Sequence, residues 1–395
     1  MTPTQGYSTA AVSANAAQTI QRFVALGWRS PVSIWREACL RLGSRYASCR
    51  ACADICPTQA LRAAPQSLAL GADCTGCGRC QAVCPTGALS VEGFAATPGR
   101  DFPEHDAAVL LDCWQVSSQL PSRAGIRVPC LGGLSVGRLL GLCTAADPHP
   151  LVLVDRGWCA DCASGGAQHP ARQSVGHAAS LMHEAGAPDS RLPRLELRPL
   201  GVDRMHRPHA DPMLGRRRSR RSFFAALAGA DASAPAGVAR PRPQRSAERQ
   251  RTLEALQVLV TRYHGRMPTA LFHRVEVRAS CRGHGVCAAA CPTGALVRYR
   301  DSSAQSSGVA YDNSACIACG ECAAVCPEQA IAIHCGAGDV AQGLRRLNRL
   351  RQRECPDCGT RFALRDGEDE SRCANCRKSA QLAHSAFQTL FGATP

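Results

Sequence analysis

The sequence predicts an α+β multidomain chain in which two cysteine-loop domains of one kind flank a small α/β unit with a parallel sheet, and a four-cysteine module follows. Three observations carry this reading. The spacing C-x2-C-x2-C-x3-C-P occurs at Cys74, Cys77, Cys80, Cys84 and Pro85, and again at Cys316, Cys319, Cys322, Cys326 and Pro327. Each copy follows an incomplete one: Cys49, Cys52, Cys56, Pro57 and Cys281, Cys287, Cys291, Pro292. Between the two doubled loops, short apolar runs alternate with helical patterns, the signature of strands covered by helices. Two C-x2-C pairs, Cys355 with Cys358 and Cys373 with Cys376, stand near the C-terminal end.

At 395 residues, 45% of them hydrophobic, the chain is long enough for more than one core. Its 25 cysteines lie mostly in C-x2-C groups, and cysteines so close are poor disulfide partners for each other. The pattern therefore points to metal ligation in a reducing compartment, the cytoplasm, and away from a disulfide-stapled secreted protein. No stretch is long and apolar enough to span a bilayer, and residues 1–20 lack the basic and apolar regions of a secretory signal. The segment Ser219-Arg220-Arg221-Ser222-Phe223-Phe224 resembles a twin-arginine export motif, but it lies in mid-chain and reads as part of a basic linker.

In the N-terminal segment, residues 1–44, Ile20, Val24, Leu26, Ile34, Trp35 and Leu40 are spaced loosely as on a helix, which predicts one or two helices. Residues 45–95 run loop, short helix, loop, with Pro57-Thr58-Gln59-Ala60-Leu61 and Pro85-Thr86-Gly87-Ala88-Leu89 as matching exits. This repeat resembles the bacterial two-cluster ferredoxin, where three cysteines of a loop and a fourth from the other loop hold each 4Fe-4S cluster. The resemblance implies that Cys74, Cys77 and Cys80 join Cys56 on one cluster, and that Cys49, Cys52 and Cys84 hold the other. Tyr46 stands where the pattern has a further cysteine. Either Cys39 supplies that thiolate across a longer loop, or the cluster is 3Fe-4S or has a non-cysteine ligand. A lone cysteine on a helix is otherwise a small buried hydrophobe.

Residues 105–200 change character. Val109-Leu110-Leu111, Ile126-Arg127-Val128 and Leu151-Val152-Leu153-Val154 read as buried parallel strands, with helices over Ser135 to Leu142 and Val175 to Glu184. Cys113, Cys130, Cys159 and Cys162 follow these strands, at the carboxyl ends where ligands collect in such sheets. Cys143 lies outside this set and reads as core. The run Arg127-Val-Pro-Cys130-Leu-Gly-Gly-Leu134, Leu139-Leu140, Leu151 to Val154 and Cys159-Ala-Asp-Cys162 is similar to the delta iron-sulfur subunit of methyl-viologen-reducing hydrogenase. That resemblance implies a 2Fe-2S cluster on the four cysteines; zinc, or four free thiols, is the alternative.

Residues 201–245 form a linker rich in arginine, proline and alanine that cannot build a core. Residues 246–337 begin with an amphipathic helix carrying Leu253, Leu256, Val258, Leu259 and Tyr263, then repeat the ferredoxin pattern. Leu271 to Val277 alternates like a strand, with Val309 to Tyr311 and Ala330 to His334 as partners. By the same resemblance Cys316, Cys319 and Cys322 join Cys291, and Cys281, Cys287 and Cys326 hold the other cluster. His284 takes the place of its fourth cysteine: it ligates iron, donates to a sulfide, or leaves a 3Fe-4S cluster. Over residues 338–380 a basic helix, 338–352, leads to Cys355, Cys358, Cys373 and Cys376, a tetrahedral four-sulfur site of a zinc ribbon or a rubredoxin-like iron centre.

The expected architecture is thus two ferredoxin-like dicluster domains around a small α/β parallel-sheet domain, plus a C-terminal zinc ribbon. Up to four 4Fe-4S clusters, the outer two either cubane or 3Fe-4S, and a zinc or iron site would offset the formal charge of +15 by roughly ten units. That leaves the holoprotein mildly basic, with local blocks at Arg216 to Arg221 and Arg345 to Arg353. No Walker loop, Rossmann fingerprint, nucleophile elbow or flavin site is recognisable, so no small-molecule substrate is evident. The function expected is single-electron transfer between redox subunits such as hydrogenase, formate dehydrogenase or a heterodisulfide-reductase-like complex. Two alternatives remain: a regulator whose arginines bind nucleic acid, against which the reduced charge and 5% aromatic content argue, and an enzyme using a cluster with one open iron.

Overall fold

Proline turns and short alternating strands, more than long helices, shape both doubled loops. The computed structural model describes residues 20–23, 32–44, 47–94, 108–116, 126–201, 246–340, 343–365 and 367–392. In the first half the order is β1 (Ile20–Phe23), β2 (Val32–Trp35), α1 (Leu40–Gly43), α2 (Ala51–Asp54), β3 (Leu61–Ala64), β4 (Ser67–Leu70), α3 (Arg79–Ala82) and β5 (Leu89–Val91). β1, β2 and β5 form an antiparallel sheet, and β3 and β4 a hairpin. The expected one or two N-terminal helices are therefore corrected in part: Ile20, Ile34 and Trp35 lie on strands, Leu40 opens the short α1, and Val24 and Leu26 lie outside the described residues. Val32 and Ile34 are buried and pair with Val91 and Leu89, a two-residue alternation that overrides the loose helical spacing.

The middle unit forms as expected. β6 (Val109–Cys113), β7 (Ile126–Val128), β8 (Leu151–Asp155) and β9 (Arg194–Leu197) make a parallel sheet in the order β7-β6-β8-β9. Helices α4 (Val136–Ala146) and α5 (Arg172–Glu184) provide the crossovers that parallel pairing requires. Leu111, Leu151 and Leu153 are fully buried, as continuous apolar runs in a covered sheet should be. β9 was not expected; Arg194-Leu-Glu-Leu197 is too polar to stand out as a buried strand.

Helix α6 (Ala247–Tyr263) is capped by Ser246, whose hydroxyl accepts from the Arg249 N–H. Expected as the lead-in to the second ferredoxin, it instead buries Leu256 and Leu259 in the core shared by the first half and the parallel sheet. Close packing on α4 depends on Gly137, where a Cβ would come within 2.7 Å of the Thr252 hydroxyl.

The second half contains β10 (Arg274–Val277), α7 (Val286–Ala290), β11 (Leu296–Asp301), β12 (Ser306–Tyr311), α8 (Glu321–Ala324), β13 (Ile331–His334), β14 (Arg345–Arg346), β15 (Leu350–Glu354), β16 (Arg361–Leu364) and α9 (Ala374–Phe391). β10 pairs with β13 as expected, but Val309 to Tyr311 belongs to a different sheet, in the order β11-β12-β15-β16 with β14 on β12. Residues 338–352 do not form the expected basic helix. Gly343 is left-handed, the Asn348 side chain accepts from the Val309 N–H, and Leu350 pairs with Ser307, so the segment is drawn along β12 as strand. Of the arginines at 345–353, Arg345 and Arg346 are adjacent on β14, Arg349 lies between the strands and Arg351 and Arg353 are on β15, while the block at 216–221, the twin-arginine-like segment and most of the linker at 201–245 lie outside the described residues.

Candidate metal centres

The four Cys-Pro exits share one backbone solution. The third residue after each crossing cysteine is left-handed: Gln59 (φ 54°), Gly87 (φ 69°), Gly294 (φ 68°) and Gln329 (φ 47°). This turns the chain so that the next N–H faces back to sulfur, with Ala88 N–H donating to Cys84 Sγ at 3.2 Å and Ala330 N–H to Cys326 Sγ at 3.3 Å. In three exits the threonine hydroxyl two residues on also lies against the sulfur: Thr58 at Cys56 (3.8 Å), Thr86 at Cys84 (3.6 Å) and Thr293 at Cys291 (3.7 Å). Donors aimed at sulfur are what a metal-bound thiolate needs in its outer shell, so the residues present fit iron-sulfur ligation.

The first doubled loop divides its cysteines crosswise. Cys56, Cys74, Cys77 and Cys80 line one pocket with Val32, Leu61, Leu70 and Val91. Cys39, Cys49, Cys52 and Cys84 line a second with Leu68, Leu89 and Arg41. Cys39 thus stands beside the three cysteines that lacked a fourth, while Tyr46 lies outside the described residues. Buried Arg41 donates to the carbonyls of Cys49 and Ala64 and fixes the Cys49 loop against β3. Burial pushes the Cys52 thiol up to about 12, and Cys84, Cys39 and Cys49 add to the effect; Cys80 and Cys39 are raised for the same first reason. Cys52 is also among the neighbours that raise Cys80, so the two pockets adjoin. Gly78, left-handed at φ 74°, is obligatory: a Cβ there would lie 2.4 Å from the Phe94 ring.

The second doubled loop repeats this arrangement. Cys322 is pushed up to about 12 by burial, then by Cys291, Cys319, Cys316 and Cys287 in turn. Cys287 has Cys281 and Cys326 as electrostatic neighbours. Cys291, Cys316, Cys319 and Cys322 therefore form one group, and Cys281, Cys287 and Cys326 the adjoining one. Gly283 (φ 70°) and Gly285 (φ 73°) reproduce the backbone of Gly76 (φ 66°) and Gly78, and of Ala318 (φ 51°) and Gly320 (φ 81°). His284 accordingly occupies the loop position of Cys77 and Cys319. Its Nε2 lies 3.3 Å from a Glu328 carboxylate oxygen, and it lines a solvent-open groove with Arg298 and Leu344.

At the sheet ends, burial raises Cys113, and pushes Cys130 and Cys159 up to about 12. Cys162 is an electrostatic neighbour of Cys113 and Cys159, and Cys130 has Cys77, Cys113 and Cys159 around it. The middle set thus abuts the first doubled loop. Ser164 donates to the Thr75 hydroxyl at 2.8 Å, Arg79 donates to the carbonyls of Ser164 and Gly165, and a Cβ on Gly133 would lie 2.6 Å from the Cys77 carbonyl oxygen. The sequence reading missed Asp155 and His169, whose ligand atoms lie within 4.8 Å of each other and of Cys159 Sγ. No spacing rule links them, since β8 ends at Asp155 and His169 follows on a later loop. Cys143 is core, buried on α4, and burial pushes it up to about 12.

Cys355, Cys358, Cys373 and Cys376 have sulfurs within 4.8 Å of one another. Cys358 Sγ and Cys373 Sγ are 3.7 Å apart, and a tetrahedron with metal-sulfur bonds of about 2.3 Å has edges of about 3.8 Å. The Cys373 N–H donates to Cys355 Sγ at 3.3 Å and holds that thiol below its usual range. The Cys376 N–H donates to Cys373 Sγ, so the second knuckle is also the start of α9. These four residues fit a single metal ion.

Residues 280–330 match the family model described as a 4Fe-4S dicluster domain, and residues 47–94 match that of the LdpA Fe-S cluster-binding domain. The two matches coincide with the two doubled loops and show iron-sulfur cluster-binding segments in both halves. No curated protein matches the chain. Among the described residues, no helix is long and apolar enough to cross a membrane.

Proposed function

We propose that the chain is a multi-cluster electron-transfer protein that relays single electrons between redox protein subunits. The supporting observation is the adjacency of its cysteine groups: Cys130 neighbours Cys77, Cys52 neighbours Cys80, and Cys287 neighbours Cys322. Cys56, Cys74, Cys77 and Cys80; Cys39, Cys49, Cys52 and Cys84; and Cys291, Cys316, Cys319 and Cys322 would each hold a 4Fe-4S cluster. Cys281, Cys287 and Cys326, with His284 in the remaining loop position, would hold a cubane or a 3Fe-4S cluster. Bound there, these groups supply one-electron centres. The protein's part is to fix their order, exclude water with the apolar pocket walls, and direct N–H and hydroxyl donors at sulfur.

Cys113, Cys130, Cys159 and Cys162 would hold a 2Fe-2S cluster, in line with the resemblance to the hydrogenase delta subunit. Asp155 and His169 favour a second reading of this site, a single metal ion on Asp155, Cys159 and His169. Cys355, Cys358, Cys373 and Cys376 would hold zinc as a structural ion, or iron as in rubredoxin. Hydrogenase, formate dehydrogenase and heterodisulfide-reductase-like complexes are the classes of partner that suit such a relay.

Iron, sulfide and zinc analysis of the anaerobically purified protein, with EPR of the reduced form, tests the proposal. Fewer than about eight irons per chain would end the relay reading, since two cubanes alone need that number. At the middle site, loss of a 2Fe-2S signal in C113S supports the cluster; loss of a bound metal other than iron in H169A, with iron unchanged, supports the single ion.

A further inference from the structure

The two doubled loops belong to different halves of the chain, yet one short segment touches both. Ser246, 2% exposed, donates its hydroxyl to the Pro85 carbonyl at 2.6 Å, next to Cys84. Ala247 and the Glu248 N–H lie against Gly87, where a Cβ would be 3.4 Å and 3.5 Å from them. One turn further, Arg249 donates from Nε to the Ser314 carbonyl (3.1 Å) and from an Nη to the Asn313 carbonyl (3.3 Å), two and three residues before Cys316. Its guanidinium lies 5.3 Å from the ring centroid of buried Phe272. A second bridge closes the other side: Ser44, five residues after Cys39, donates to buried Glu321, which precedes Cys322, at 2.8 Å.

We propose that the start of α6 is the junction between the two modules, and that Arg249 is the positioning residue that raises the reduction potential of the centre held by Cys291, Cys316, Cys319 and Cys322, with Glu321 opposing it. The proposal rests on the relay reading. It sets the order of the one-electron centres as the sheet-end cysteines, the Cys56 group, the Cys39 group, the Cys316 group and the Cys281 group. A fixed positive charge beside a centre favours the form carrying one more electron, and a carboxylate disfavours it. Arg249 is held there by the two carbonyls and the Phe272 face, so its charge cannot swing away to solvent. Arg249 and Cys316 are also electrostatic neighbours.

The test is an EPR-monitored redox titration of the full-length holoprotein and of R249Q, R249K and E321Q. R249Q should lower the reduced-to-oxidised ratio of one 4Fe centre about tenfold at fixed potential, roughly a 59 mV downward shift for one electron, while R249K restores it. E321Q should shift the same centre upward, and it decides the question if R249Q loads too little iron to titrate. No shift in fully loaded R249Q, an equal shift of every centre, or an unmoved centre in E321Q would overturn the proposal. A parent protein with fewer than about eight irons would instead defeat the relay reading beneath it.

Discussion

Replacing Cys39 with alanine separates the two readings of that residue by a countable quantity. Cys39 lines the pocket of Cys49, Cys52 and Cys84, so with the Cys56 and Cys316 groups there are three four-cysteine groups among the described residues of the ferredoxin-type loops. As proposed cubane ligands they would account for about 12 irons, four to each cluster. As a ligand, Cys39 holds one corner of its cubane, and C39A should lose about one iron and gain the signal of an oxidised 3Fe-4S cluster. As a buried hydrophobe, it contributes only the packing of one sulfur, within about 1 kcal/mol, and iron content stays constant. C143A is the matched control, a buried cysteine outside every group, and its iron content should equal the parent's. Iron determination with EPR of the air-free oxidised protein reads both. An unchanged spectrum and iron count in C39A would refute its assignment as a ligand.

Three further outcomes are expected. H284C, placed in a loop with the backbone of the cysteine loops, should convert any 3Fe-4S signal of the second module into a 4Fe-4S one; an unchanged EPR spectrum would place residue 284 off the centre. Arg156 clamps Asp112 with two hydrogen bonds, 2.9 and 2.7 Å, beside Cys113, and the Asp112 side chain is fully buried. R156A should therefore cost about 3–5 kcal/mol in a denaturant titration, and a loss below about 1 kcal/mol would show that water reaches the carboxylate. Burial pushes Cys143 from the usual 9.0 to about 12, so its neutral thiol favours the folded state at low pH and that contribution is lost as pH rises from 9 toward 12. Relative to C143A, the parent should lose about 1.4 kcal/mol per pH unit in that window, and a pH-independent difference would contradict the burial argument.

The cysteine groupings were legible because the loops fix residue spacing along the chain. Even the candidacy of Cys39 followed from a missing fourth sulfur. The parallel strands were legible for another reason: a covered sheet needs uninterrupted apolar runs, which Leu151 to Val154 supply. The errors fall where pairing partners are distant in sequence. Ile34 and Trp35 read as helix until β1 and β5 are brought beside β2, and residues 338–352 read as a basic helix until β12 and β16 pair with β14 and β15. Helix α6 was assigned to its sequence neighbour, whereas its packing partner α4 lies more than a hundred residues earlier; Glu248 accepts from the Gly137 N–H across that interval. Asp155 and His169 had no motif to mark them, because a strand end and a later loop meet only in three dimensions.

The burial that raises the thiols also links ligation to folding in the proposed relay. The helices of the doubled loops, α2, α3, α7 and α8, run only four or five residues, and their β3–β4 and β10–β13 sheets have two strands each. Elements of that size are marginal alone. Cysteines line their interiors beside apolar residues, and burial raises Cys39, Cys52, Cys80, Cys287 and Cys322 there, so a metal that takes four thiolates would replace protons and at the same time cross-link both loops. The parallel sheet differs: Leu111, Leu139, Leu140, Leu151 and Leu153 bury an apolar core with α4, α5 and α6 that needs no metal. The first module is fastened to this unit by the Ser164–Thr75 and Ser246–Pro85 hydrogen bonds, and the second by Arg249. In the proposed relay the middle unit would therefore act as the frame on which the two cluster modules are held at fixed separation, which is the mechanical condition for ordered transfer.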